Sequence, residues 1–151
     1  MIIGGSVYAG DQSQDIDADA NMLLTEAHLM ARKGGVTFNA LVVVSQIDDA
    51  AAFNAAVDAT DDGNGGTLDN PEIAERMFGW YAELGYDVLA SFDKGEHQLT
   101  PYIRVEQLDT QDKAAEGTVA DPANELDIVT VGLNYKPIDE VVFKQIGRAH
   151  V

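Results

Sequence analysis

Apolar and polar side chains alternate with a period of two along most of this chain, and this pattern constrains the fold more than any other feature. A period of two places successive side chains on opposite faces of a β-strand. In the clearest segment, 79–89, Trp80 and Leu84 fall on one face while Glu83 and Asp87 fall on the other. The alternation predicts an all-β protein built from antiparallel strands.

Segments of this kind are separated by stretches rich in Gly, Asp and Asn, which are residues typical of turns. The seven predicted strands are 2–12, 21–33, 36–46, 79–89, 98–108, 127–136 and 140–145. Their connections alternate in length, with tight turns at 34–35 and 137–139 and long acidic loops at 47–78 and 109–126. An Ala-rich run near 48–58 predicts one helix in the first long loop, capped by Asp48 or Asp49.

This sorting of connections is typical of an up-and-down transmembrane β-barrel, which has tight turns at one rim and long loops at the other. In such a barrel the apolar face contacts lipid and the polar face lines a water-filled lumen. In a soluble antiparallel sheet, the same apolar face would pack on a core instead. The pattern favours the barrel and leaves the soluble sheet as the alternative.

The barrel interpretation assigns each strand residue to lumen or lipid. The predicted pore-lining residues are Glu26, His28, Arg32, Glu83, Asp87, Arg104, Glu106, Lys136 and Lys144. The predicted lipid-facing residues are Trp80, Leu84, Tyr86, Ile103, Val131 and Tyr135. Trp80 lies towards the loop end of its strand, and Tyr86 and Tyr135 lie towards the turn end, as in the aromatic belts of membrane proteins.

Charge and composition exclude several classes of function. The chain has 26 acidic and 9 basic residues, which gives a formal charge of −17. This balance excludes a sequence-independent grip on nucleic-acid phosphates, and it argues against docking to anionic lipid through a basic patch. The absence of cysteine excludes disulfides, thiolate metal sites and cysteine nucleophiles.

Residues 58–69 partly match a calcium-binding loop. The candidate ligands are Asp58, Thr60, Asp62, Asn64 and Asp69. Thr at the second ligand position and Asp rather than Glu at the last one depart from the motif, and no second helix is predicted. A solvated acidic loop is the competing interpretation.

No catalytic motif is present in the sequence. There is no Ser-His-Asp order, no phosphate-binding glycine loop and no zinc signature. The carboxylates of Glu83, Asp87 and Glu106 resemble an acid–base pair, but no nucleophile accompanies them. We predict that the protein is not an enzyme. We also predict that it has no cofactor, unless the loop at 58–69 binds calcium.

Several stretches resemble the C-terminal half of outer-membrane porins of Gram-negative bacteria, and they are similar to the phosphate-selective porin family. They are GWYAELGYDVL at 79–89, LTPYIRVEQLDTQD at 99–112 and DPANELDIVTVGLNYKPIDEVVFK at 121–144, and 23–56 fits as a hairpin followed by a loop helix. The resemblance implies an outer-membrane barrel of about sixteen strands, usually a homotrimer, through which small solutes diffuse passively. The seven strands found here are then less than half of a barrel.

The charges depart from the phosphate-selective pattern, in which arginines and lysines line the pore. Here the predicted lumen carries carboxylates as well as cations, and the loops are acidic, which favours cations over anions. The cation preference is assigned to Glu83 and Glu106 rather than to loop residues such as Asp61 and Asp62. The sequence therefore predicts a porin for small charged solutes without phosphate selectivity. The alternative is an exported soluble all-β binding module whose acidic loop binds calcium, and an enzyme barrel ranks last.

The last six residues match nothing that precedes them. Residues 146–151 resemble a translated reading frame of a common DNA-sequencing adapter, which predicts a non-native tail after a partial barrel over 1–145. A frayed natural terminus is the alternative. In both cases Arg148 and His150 are assigned no function.

Overall fold

The computed structural model describes residues 1–13, 18–59, 72–92 and 95–150. Within these residues, seven strands form a single antiparallel sheet, which confirms the prediction of an all-β protein built from antiparallel strands. The strands are β1 (Ile2–Asp11), β2 (Asn21–Lys33), β3 (Val36–Ile47), β4 (Arg76–Tyr86), β5 (Gln98–Lys113), β6 (Glu125–Ile138) and β7 (Val141–His150). A helix, α1 (Ala50–Asp58), follows β3, and a short 3-10 helix (Pro122–Asn124) precedes β6.

The strands follow one another across the sheet in chain order, so each strand pairs with its sequence neighbours. Among the described residues the sheet is open, with β1 at one edge and β7 at the other. Successive connections alternate between two rims. The turn rim carries the β2–β3, β4–β5 and β6–β7 connections, and the loop rim carries the described residues of the β1–β2, β3–β4 and β5–β6 connections.

Most strands differ from the sequence prediction at one or both ends, and β4 and the end of β5 are two clear cases. Strand β4 runs from Arg76 to Tyr86 rather than over 79–89, so Asp87 lies in the β4–β5 connection. Its carboxylate accepts hydrogen bonds of 3.1 Å from the backbone amides of both Leu89 and Leu99, at the start of this connection. Strand β5 continues beyond the predicted end at 108 because its last residue, Lys113, still pairs with Arg76.

The last residues of the chain are not frayed, because they form part of a strand. Residues 146–150 belong to β7, and they pair in register with β6 from Gly132 to Ile128. This pairing places Arg148 opposite Thr130 and His150 opposite Ile128. These residues therefore contribute to the edge of the sheet.

The register aligns like side chains across strands and produces two chemically distinct faces. On the face that we call the apolar face, Phe38, Leu84, Ile103 and Val131 lie side by side on successive strands β3 to β6. On the opposite face, the polar face, the neighbouring row is Asn39, Glu83, Arg104, Thr130 and Arg148. Cross-strand neighbours of this kind are in direct contact, so each row acts as one surface.

The apolar face has no covering layer among the described residues. Leu84 is 50% exposed, Val131 58% and Phe143 62%. The buried cluster of the described residues lies instead at the loop rim, where Ala20, Ile47, Ala50 and Ala115 pack together. The strand residues of this cluster and its margin, among them Met22, Ile47 and Met77, belong to the polar face.

Helix α1 therefore packs over the loop-rim end of the polar face. Asp49 occupies the position before the helix, as predicted, but its side chain makes no capping hydrogen bond, so the capping prediction is wrong for Asp49. The backbone of Asp49 is left-handed, with φ of 55°. The helix is held by Asn54 instead, whose amide group accepts from the Ile73 N–H at 2.9 Å and donates to the Ile73 carbonyl at 3.0 Å.

Candidate functional site

The predicted pore-lining and lipid-facing residues occupy opposite faces of the sheet. Eight of the predicted pore-lining residues lie on the polar face: Glu26, His28, Arg32, Glu83, Arg104, Glu106, Lys136 and Lys144. The ninth, Asp87, lies in the β4–β5 connection at the turn rim. All six predicted lipid-facing residues lie on the apolar face: Trp80, Leu84, Tyr86, Ile103, Val131 and Tyr135.

A network of charged side chains occupies the middle of the polar face. Glu106 is its centre, since one carboxylate oxygen accepts from Arg104 Nε at 2.5 Å and the other from Arg148 Nη2 at 2.7 Å. The guanidinium carbon of Arg104 lies 3.8 Å from the centroid of the Tyr81 ring, in cation–π geometry. The Glu106 side chain is only 13% exposed, and the guanidinium groups of Arg104 and Arg148 compensate its charge at close range.

Two smaller groups flank this network. Near β1, Glu26 Oε1 lies 2.7 Å from His28 Nδ1, and Ser6 Oγ donates to Glu26 Oε2 at 3.2 Å. Between β3 and β4, Asn39 Nδ2 donates to Glu83 Oε1 at 3.0 Å. Each of the three glutamates on the polar face therefore has a polar partner within hydrogen-bonding distance.

Sequence reasoning missed four residues of this arrangement. Ser6, Asn39 and Tyr81 partner predicted residues, and Arg148 was assigned no function although it pairs with Glu106. The strand parity places Asn39 and Tyr81 on the polar face, so that signal was available. The role of Arg148 could not be read from parity alone because it depends on the β6–β7 register.

The apolar face is bounded at both ends. On β5 it runs from Leu99 to Val105 and ends at Gln107, which accepts a 3.0 Å hydrogen bond from Trp80 Nε1. At the turn rim, Tyr135 stacks on His97 and on Phe143, with ring centroids 6.1 and 6.5 Å apart. The distance from Leu99 to Gln107 along the strand is about 27 Å at the usual rise per residue. An apolar band with aromatic side chains at both ends therefore crosses the sheet.

Acidic residues concentrate at the loop rim. Within the described residues these are Asp11, Asp19, Asp48, Asp49, Asp58, Glu72, Glu75, Asp109, Asp112, Glu116, Asp121, Glu125 and Asp127. The basic residues there are Arg76, which pairs with Asp112, and Lys113, which pairs with Glu75. The polar face itself carries three glutamates against five Lys or Arg once Arg148 is included. The negative charge of the described residues is thus concentrated at the loop rim, in the connections and the adjoining strand ends, rather than in the middle of the polar face.

The calcium hypothesis falls mostly outside the described residues. Asp58 ends α1, whereas Thr60, Asp62, Asn64 and Asp69 are not among the residues that the structure describes. In the described part of the chain, no three His, Asp or Glu side chains are grouped to hold a metal ion. The described helices also include none that is long and apolar enough to cross a membrane.

No protein-family model, curated protein or solved structure matches this chain. The resemblance to porins therefore remains a prediction.

Replacing Asn54 with alanine is expected to release α1 from the loop rim. Both hydrogen bonds to Ile73 would be lost, and a buried peptide group left without partners costs about 1–3 kcal/mol. We expect the free energy of local opening of α1 to fall by about 2 kcal/mol, measured by hydrogen exchange of the α1 amides. Asn39→Ala is the matched control, because Asn39 lies on β3 away from α1, and it should leave the exchange of α1 unchanged. Equal exchange in both variants would contradict the anchoring role.

Proposed function

We propose that this chain forms part of the wall of a transmembrane β-barrel in the bacterial outer membrane, and that it acts as a passive channel for small solutes. The observation that supports this most strongly is the uncovered apolar face, on which large side chains from all seven strands lie side by side. An apolar patch of this extent on a soluble monomer is unusual and indicates a contact surface. Lipid is the contact that suits a continuous sheet with no covering layer.

The dimensions of the apolar face support the same proposal. A strand tilted by about 40° carries a 27 Å band through about 20 Å along the membrane normal, close to the apolar band of about 25 Å in outer-membrane barrels. Trp80 and Tyr135 stand at opposite ends of this band, as aromatic girdles do. On β5 and β6 the band ends in polar residues level with Trp80, where Gln107 is paired with Asp127.

The polar face suits the wall of an aqueous lumen. Its three glutamates have polar partners on other strands, since Glu26 contacts Ser6, Glu83 contacts Asn39 and Glu106 contacts Arg148. The long connections gather at one rim and the shorter ones at the other, which is the arrangement of outer-membrane barrels. In the proposal, the full barrel has about sixteen strands and assembles as a homotrimer, as the resemblance to porins implies.

Membrane partition and conductance test the proposal together. The protein that contains these strands should sediment with outer membranes, require detergent for extraction and produce stepwise conductance in a planar bilayer. Recovery in the soluble fraction without detergent, and no conductance, would reject the channel. That result would favour an exported soluble all-β binding module.

Ion selectivity should follow the charge at the loop rim. We expect potassium to be favoured over chloride because cations accumulate near the acidic rim, within a screening length of about 8–10 Å in physiological salt. The preference should weaken as salt is raised. The reversal potential under a salt gradient measures it, and an anion-selective sign would contradict the expectation.

Three double variants locate the charges that matter, each removing two carboxylates. Asp48→Asn with Glu116→Gln changes the loop rim, Glu83→Gln with Glu106→Gln changes the polar face, and Asp139→Asn with Glu140→Gln changes the β6–β7 turn as a control. Since lysines and arginines outnumber glutamates on the polar face, we expect the loop-rim pair to lower cation preference most. The sequence had instead assigned the cation preference to Glu83 and Glu106 rather than to loop residues. The loop residues named there, Asp61 and Asp62, lie outside the described residues.

A further inference from the structure

A polar cavity of about 430 Å³ opens on the polar face next to the turn rim. Its charged lining residues are Arg32, Glu83, Asp87 and Lys136, so two positive and two negative formal charges cancel. The neutral hydrogen-bonding side chains around it are Thr37, Asn39, Gln98, Thr100, Tyr102 and Asn134. A lining that is rich in polar groups but carries no net charge offers little long-range attraction to an ion of either sign.

The cavity depends on a glycine in its lining. Gly85 sits on β4 beside Glu83, and a Cβ added there would lie 3.0 Å from Thr100 Cγ2 and 3.4 Å from Tyr102 Cβ. The Tyr102 ring itself leans over Gly132 on β6, where an added Cβ would come within 2.4 Å of it. Any larger residue at Gly85 would therefore crowd the cavity, and a small residue at this position keeps it open.

Two amide groups at the cavity have unused hydrogen-bonding capacity. Asn39 uses its Nδ2 to donate to Glu83, and its buried Oδ1 has no hydrogen-bond partner among the described residues. The buried Oδ1 of Asn134 likewise has none within the described part of the chain. Buried polar atoms without partners are uncommon in folded proteins and call for an explanation. Both side chains line the cavity, so a molecule bound there would lie beside these amide groups.

We propose that this cavity is a binding site for a small uncharged polyhydroxyl solute, and the inference rests on the channel proposed above. A hydroxyl group both donates and accepts, so one such solute can donate to the amide oxygens of Asn39 and Asn134 and accept from Lys136. An anion would meet the Glu83 carboxylate and the same amide oxygens. A cation would meet Arg32 and Lys136. The uncharged solute is the class that the whole lining accommodates.

Titration of the protein in detergent micelles tests the proposal, with glucose as the probe and with glycine and inorganic phosphate as the zwitterionic and anionic comparisons. We expect glucose to bind with a Kd of about 1–10 mM, because a solute that passes through a channel must dissociate from its binding site quickly. The side-chain amide signals of Asn39 and Asn134 should shift in the nitrogen–proton NMR spectrum. Glycine and phosphate should shift them at least about tenfold less at equal concentration.

Variants separate a specific site from general weak binding. Asn134→Ala should weaken glucose binding about fivefold to tenfold, since one hydrogen bond is lost. Asn124→Ala, at the loop rim, is the matched control and should bind glucose as the unmodified protein does. Thr100→Ala is a smaller change in the cavity lining, so it should also weaken glucose binding and it tests the site even if Asn134→Ala unfolds. Far-UV circular dichroism reports the fold of each variant.

The outcomes distinguish this proposal from the channel itself. Equal weakening by Asn134→Ala and Asn124→Ala, tighter binding of glycine or phosphate than of glucose, or no glucose binding by the folded protein would overturn the site. Conductance without glucose binding would keep the channel and reject the site. Glucose binding without conductance would reject the channel and keep the site.

Discussion

Arginine in place of Leu84 or Val131 is expected to destabilise the folded protein in a lipid bilayer by about 2–4 kcal/mol at each position. Both residues lie in the same row across the middle of the apolar face, and no described residue covers them. A guanidinium at this depth must lose its hydration or draw water and headgroups into the bilayer, and both are costly. The free energy of unfolding, measured by denaturant titration in lipid vesicles, reports the loss.

Ser6→Arg is the matched control for this experiment. Ser6 lies on the polar face of β1, and its hydroxyl already contacts the Glu26 carboxylate, so an arginine there gains a partner. We expect this variant to change stability by less than about 0.5 kcal/mol, as substitutions at wet surfaces usually do. If the apolar face met water instead of lipid, Leu84→Arg and Val131→Arg would be equally mild. Similar small changes at all three positions would therefore contradict lipid contact.

In detergent-free buffer, the chain over residues 1–151 is expected not to form a folded monomer. The apolar face would expose side chains such as Leu84 and Phe143 to water, while the buried cluster at the loop rim is small. The outer edges of β1 and β7 also present backbone N–H and C=O groups that no described strand pairs, and such edges promote association. We expect aggregation without detergent and a β-sheet circular dichroism spectrum in micelles.

Calorimetry detects cooperative unfolding of the chain in detergent-free buffer, and sedimentation velocity shows whether the unfolding species is a monomer. The expected result is no cooperative unfolding transition from a monomeric species in plain buffer. A sharp transition from a soluble monomer would contradict the proposed membrane barrel. If calcium raised the temperature of that transition, the soluble binding module with a calcium loop would be the better description, by mass action on the folded state.

The alternation of side chains was sufficient to predict the strands and their faces. Seven strands, the tight turn at 34–35 and the division between Leu84 or Val131 on one side and Glu83 or Arg104 on the other agree with the structure, whereas the turn predicted at 137–139 lies at 139–140. The period of two is a local property, because each strand residue points to the face opposite its neighbour whatever the strand pairs with. The helix at α1 was predictable for a similar reason, since an Ala-rich run favours helix by itself.

Strand ends and side-chain partners depended on contacts between residues distant in the chain. Asp87 continues the alternation of β4 in sequence, yet it lies beyond the end of the strand, where its carboxylate binds the amides of Leu89 and Leu99. Glu106 and Arg148 meet only because β5 and β7 both pair with β6 in the observed register. Helix docking on the polar face depends on Asn54 and Ile73, which are joined by tertiary hydrogen bonds.

The sequence by itself therefore determined which segments form the seven strands and α1, and which face a strand residue occupies. The tertiary structure decided the rest, including the charge balance of the polar face, where Arg148 adds a cation, and the cavity beside Gly85. The physical reason is the range of the interactions. Alternation reflects the geometry of one extended strand, whereas register, ion pairs and cavities arise between strands and require the sheet to be assembled.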